Sequence, residues 1–160
     1  MTRSPVRQAD TGDVTHIRLP CCRGTHLIRW MRSRLCPIDI AHELEDAEII
    51  IRTHERGVGF QILVKRFDAT VKTLDVVEWF GERSYDGSMA ALFTWVLLAR
   101  PVGCFATIPS ETDFLWKRPD RTDLYTPCYR SDGATGEIYL ESVNGFWSHI
   151  WTFVAFRACG

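Results

Sequence analysis

The chain has 160 residues, enough to bury one core without disulfide or metal support. A hydrophobic fraction of 46% with 24% charged residues excludes a disordered chain, which lacks the apolar surface needed to offset its ordering entropy. A net charge of -1 excludes a global field that would recruit nucleic acid.

Residues 1–13 (MTRSPVRQADTGD) are polar and without periodicity, and read as a flexible tail ahead of one globular domain over 14–160. They hold no hydrophobic run of the kind a secretory signal needs. Val14 to Leu19 suits a short strand ending at Pro20. From Thr25, the residues Leu27, Ile28, Met31 and Leu35 recur at helical intervals, with Arg29, Arg32 and Arg34 largely off that face. Pro37 stops this helix and suits the start of a second short one over 38–46. The segment is strongly basic. Seven arginines up to Cys36 meet only Asp10 and Asp13, so the remainder of the chain is net acidic.

Ile49-Ile50-Ile51 and the run from Phe60 to Phe67 are β-branched or apolar strands joined through Gly57-Val58-Gly59, which predicts a hairpin. Residues 68–80 carry Val71, Leu74, Val77 and Phe80 at spacings that fit a helix capped by Asp68. Ser88 then precedes the most apolar stretch, MAALFTWVLLA (89–99), stopped by Arg100-Pro101. Such a helix is buried against a sheet, and it is too short to span a bilayer. Val102 to Ile108 reads as a strand containing Cys104.

Residues 109–136 read as a long irregular loop with three prolines. It retains Phe114, Leu115, Trp116, Leu124, Tyr125 and Tyr129, so part of it should pack onto the body. Asn144-Gly145, between apolar runs at 136–143 and 146–156, predicts a tight C-terminal hairpin, because both turn positions favour positive φ. That hairpin would put Ile138, Leu140, Trp147, His149, Trp151 and Phe153 on one face and Tyr139 and Glu141 on the other. The fold expected is α+β: an antiparallel or mixed sheet, with the Asn-Gly hairpin, packed against a central apolar helix over 88–99.

Phosphate-loop, dinucleotide, zinc-protease, CxxC and nucleophile-elbow motifs are all absent, so no cofactor is expected. His16, Cys21, Cys22, His26, Cys36 and His42 lie close in sequence. No pair of these cysteines has the spacing of a zinc knuckle, however, and no metal site is assigned. Adjacent Cys21-Cys22 is an awkward disulfide, and six reduced thiols point to the cytoplasm.

For catalysis the candidates are His149 as base with Cys22, Cys104 or Cys128 as nucleophile, or with the carboxylates of Glu111 or Asp113. That set implies a small hydrolase or transferase. For binding, the candidates are Arg29 and Arg32 on the basic helix with Trp116, Arg118 and Arg121 in the loop, residue types enriched at contact sites. With no catalytic motif present, the preferred expectation is a non-enzymatic binding or regulatory protein that recognises a protein partner. Nucleic acid is a weaker candidate, since the acidic body would repel a phosphate backbone. No membrane contact is expected.

Overall fold

The computed structural model describes residues 17–18, 38–41, 44, 59–117 and 122–158. The tail 1–13, the basic helix 25–35, the cysteines up to Cys36, the strand around Ile49–Ile51, and Arg29, Arg32, Arg118 and Arg121 lie outside these residues.

The described chain runs β1 (Ile17–Arg18), β2 (Ile38–Ile40), β3 (Gly59–Arg66), β4 (Val71–Lys72), α1 (Thr73–Gly81), α2 (Met89–Ala99) and β5 (Gly103–Ala106). A short 3-10 turn at Thr112–Phe114 follows, then β6 (Trp116–Lys117), β7 (Leu124–Ser131), β8 (Gly136–Ser142), β9 (Phe146–Trp147) and β10 (Trp151–Ala158). The main sheet is ordered β1-β3-β10-β5-β7-β8-β2, with β6 also paired to β7. It is mixed: β10 runs parallel to β5, β2 parallel to β8, and the other pairs are antiparallel. β4 and β9 form a separate two-stranded ribbon. The architecture is α+β, as the sequence predicts.

Strand alternation sorts the core into two faces. Ile62, Phe105, Tyr129, Ile138, Val154 and Phe156 pack with α2, where Leu92, Phe93 and Val96 are fully buried. An apolar helix with no polar stripe needs this setting, and each such side chain contributes about 1.5–3 kcal/mol by leaving water. α2 closes at Arg100, whose N–H donates to the Val96 carbonyl from a left-handed φ of 47°. The opposite face carries Leu63, Ala106, Cys128, Phe153 and Ala155 under Val76 and Phe80 of α1, with Trp147 of the ribbon beside them.

Several sequence expectations change. Residues 38–40 form a strand rather than the start of a helix: Ile40 is buried and Asp39 exposed, an alternation of period two. The helix expected over 68–80 starts only at Thr73, after β4. The region 109–136 is not one loop, since β6 and β7 lie within it. Pro127 in β7 disguises the strand, because proline forfeits a ladder donor. It falls between the residues that pair with β5 (Cys128–Ser131) and those that pair with β6 (Leu124, Tyr125).

Asn144-Gly145 does not join a hairpin of 136–143 with 146–156. β8 pairs with β7 and β2, whereas β10 pairs with β3 and β5. Neither turn residue adopts positive φ. The Asn144 N–H donates to Ser142 Oγ and its Nδ2 to Asp123 Oδ1 at 2.8 Å, which commits the residue to a wider bend. The hairpin that does form, β7–β8, turns at Asp132-Gly133, with Gly133 at φ 95°. The Asp132 carboxylate accepts from the Ala134 and Thr135 N–H groups. These hydrogen bonds, the Thr135 one foremost, hold its pKa below the ordinary aspartate range. The face assignment changes with the pairing. Ile138 joins the α2 side, while Trp147, Trp151, Phe153 and Tyr139 lie on the α1 side.

Candidate functional site

On the α1 side the covering is pieced together from short elements, and a groove of about 520 Å³ remains between them. One wall is the ribbon and the start of α1, where Lys72 pairs with Phe146 and Val71 with Trp147. Thr73 locks that wall. Its hydroxyl donates to the Val143 carbonyl at 2.6 Å and accepts from Trp147 Nε1 at 2.8 Å. The other wall is the run from Ile108 through Leu115. Asp86 fixes it by accepting from the Ser110 N–H and hydroxyl at 2.9 and 3.0 Å. Gly87 lets the two segments touch, for a Cβ there would stand 2.3 Å from the Ile108 carbonyl carbon. Leu124 and Val143 line the groove between the walls, joined by the Val143 N–H to Leu124 carbonyl bond.

The groove is lined chiefly by apolar side chains, and two of them stand in solvent: Leu74 at 64% exposure and Phe146 at 69%. Lys72 is the one ionisable residue in the lining, and its Nζ sits 5.7 Å from the centre of the Phe146 ring. A mostly apolar concavity with few polar groups is the common form of a recognition site.

A second, polar cleft of about 420 Å³ lies at the end of the sheet where β7 turns into β8. Cys104, Arg130, Glu137 and Asp39 line it, and strand register sets them side by side across β5, β7, β8 and β2. Arg130 and Glu137 form an ion pair, and that hydrogen bond raises the arginine pKa further. One row deeper, Cys128 faces Tyr139. Burial pushes the Cys128 thiol well up, the Glu141 charge adding to it, so this cysteine is held protonated and unreactive. Burial likewise raises the Tyr139 phenol and the Glu141 carboxyl.

The sequence candidates are dispersed. Cys104 is half-buried on the wall of the polar cleft. His149 is exposed in the turn before β10, its carbonyl accepting from Arg66 Nε at 2.7 Å, and it lines neither cleft. Glu111 and Asp113 are exposed on the segment that walls the apolar groove, with Asp113 4.0 Å from Lys117. Trp116 is half-buried against the α2-side core, paired across β6–β7 with Tyr125. Among the described residues no group of three His, Cys, Asp or Glu side chains is placed to hold a metal.

Sequence reasoning did not single out Lys72, Thr73, Leu74 or Phe146. Their only local signal was Leu74 in an amphipathic run and Phe146 after the Asn-Gly pair. The groove arises because three distant segments meet, which no window of sequence contains. Among the described residues no helix is long and apolar enough to cross a membrane. Comparison of the chain with protein-family models, curated proteins and solved structures returns no match.

Proposed function

We propose that this chain is a non-enzymatic binding protein that recognises a protein partner, and that the partner seats in the groove between the start of α1 and the 108–115 segment. The observation that carries this reading is the pair of large apolar side chains, Leu74 and Phe146, standing in solvent on the lining of an apolar groove. Exposed apolar surface of this kind, next to a concavity, is what a partner's side chains bury. Part of the region first singled out for binding supplies one wall, through Pro109, Ser110, Thr112 and Leu115. Arg29, Arg32, Arg118 and Arg121, which lie outside the described residues, are proposed as further contacts with the partner, and Trp116 as support for the β6 strand. The hydrolase or transferase reading needs a base beside a nucleophile, and Cys104 lines its cleft without His149, Glu111 or Asp113.

Selection from a random displayed-peptide library on the immobilised chain tests the reading. Peptides rich in apolar residues are expected, with binding lost in Leu74→Glu and Phe146→Glu, which change exposed positions and leave the core untouched. No enriched peptide, or peptides that bind both variants as well as the parent, would overturn it.

A further inference from the structure

The groove also carries information about the chemistry of its occupant. Its walls are apolar, its neutral polar groups are hydroxyls and one amide, and Lys72 is its single charge. None of the described carboxylates beside the lining residues lines the groove itself: Asp123 holds Asn144, Asp113 faces Lys117, Glu78 and Glu111 are exposed, and Asp75 accepts the Lys72 backbone N–H at 3.2 Å. The Lys72 ammonium lies against the Phe146 ring, and among the described residues it has no carboxylate partner. Lys72 is also the N-cap of α1, where the Asp75 carboxylate in the first turn takes its backbone N–H and leaves the lysine ammonium as the charge that lines the groove.

We propose that the groove recognises an extended apolar segment of a protein partner that carries one acidic side chain, Asp or Glu, seated at Lys72 between Leu74 and Phe146. The inference rests on the groove being the docking site. It adds the requirement for a side-chain carboxylate with apolar residues on both sides. Charge complementarity selects the acid, because among the described residues Lys72 is the one charged side chain in a chiefly apolar lining. The apolar positions around Lys72 select a flanked acid rather than a chain end.

The test uses three synthetic peptides, acetylated and amidated, with a Leu-Phe-X-Phe-Leu core in which X is Glu, Gln or Lys. Each is titrated into the full chain and into Lys72→Glu, following backbone amide shifts. The expected result is that Leu74, Thr112 and Phe146 signals move, and that the Glu peptide binds the parent about three- to tenfold more tightly than the Gln peptide. In Lys72→Glu the order should reverse in favour of the Lys peptide. Equal movement of groove signals by all three peptides on the parent would overturn the acid requirement and leave the groove standing. A Gln peptide with a free C-terminus that equals the Glu peptide would also overturn it, by moving the carboxylate to the chain end. No movement at the groove with any peptide would overturn both readings. Circular dichroism of Lys72→Glu, an exposed residue, should match the parent.

Discussion

The two faces of the sheet are covered in different ways. On one side, among the described residues, the apolar helix α2 lays Leu92, Phe93 and Val96 on the strands. On the other, a nine-residue helix, a two-stranded ribbon and the 108–115 run share the work, and their seams leave the apolar groove. A face covered by one large apolar surface draws its stability from continuous burial. A face closed by small pieces needs polar clamps, such as Thr73 and Asp86, and keeps openings that a partner can use.

β10 serves both faces, with Val154 and Phe156 toward α2 and Phe153 and Ala155 toward α1. Removing residues 153–160 should therefore unfold the chain, seen as loss of its circular dichroism signal; a folded, soluble product would contradict the central place of this strand. Phe93→Ala attacks the closed face alone and should cost about 3–5 kcal/mol in urea unfolding, whereas Phe146→Ala on the open face should cost under about 0.5 kcal/mol. Comparable losses would erase the contrast. Gly87→Ala drives a methyl group into the Ile108–Pro109 backbone and should cost about 3 kcal/mol, with the groove wall displaced. Thr73→Val removes both the donor to Val143 and the acceptor for Trp147, and should cost about 2 kcal/mol while weakening groove binding.

The smallest effect is in pH. Burial raises the Glu141 carboxyl in the folded chain, only partly offset by Arg130. The folded form then holds this proton more tightly than the unfolded form. Stability contributed by this group falls as pH rises from the ordinary glutamate range through the raised value, and stays reduced above it. Glu141→Gln should flatten that slope in urea melts taken across weakly acidic pH. Asp132 has the opposite sign: its folded pKa is lowered, so its contribution is present above the ordinary aspartate range and fades in stronger acid.

The sequence made the closed face readable and the open face largely unreadable. The run from Met89 to Ala99 has no polar stripe, and a helix buried against a sheet follows from that alone. The strands Gly136–Ser142 and Trp151–Ala158 were also legible as strands, but their partners were not. β10 pairs Phe153 with Lys65 and with Ala106, residues far off in the chain, and local turn chemistry has no bearing on that choice. Asn144-Gly145 satisfies the local rule for a tight turn, yet the indole of Trp147 bonded to Thr73 draws the following residues into a ribbon with β4. The turn that forms, at Asp132-Gly133, met the same rule and was hidden inside a segment that Pro127 made look irregular. The groove was illegible for the same reason as the pairing: Lys72, Leu74, Leu115 and Phe146 become neighbours only after the sheet has closed.

The order of the sheet also sets a schedule for making it. β10 joins two pieces, β1-β3 on one side and β5-β7-β8-β2 on the other, and it is the last described strand to leave the ribosome. Until then β3 and β5 each present an open edge to the same absent neighbour, and α2 has only half a floor to lie on. Such edges are templates for pairing with other chains. A nascent chain of this design must wait with both edges bare, so its folding should be slow, set by distant contacts, and dependent on protection during synthesis.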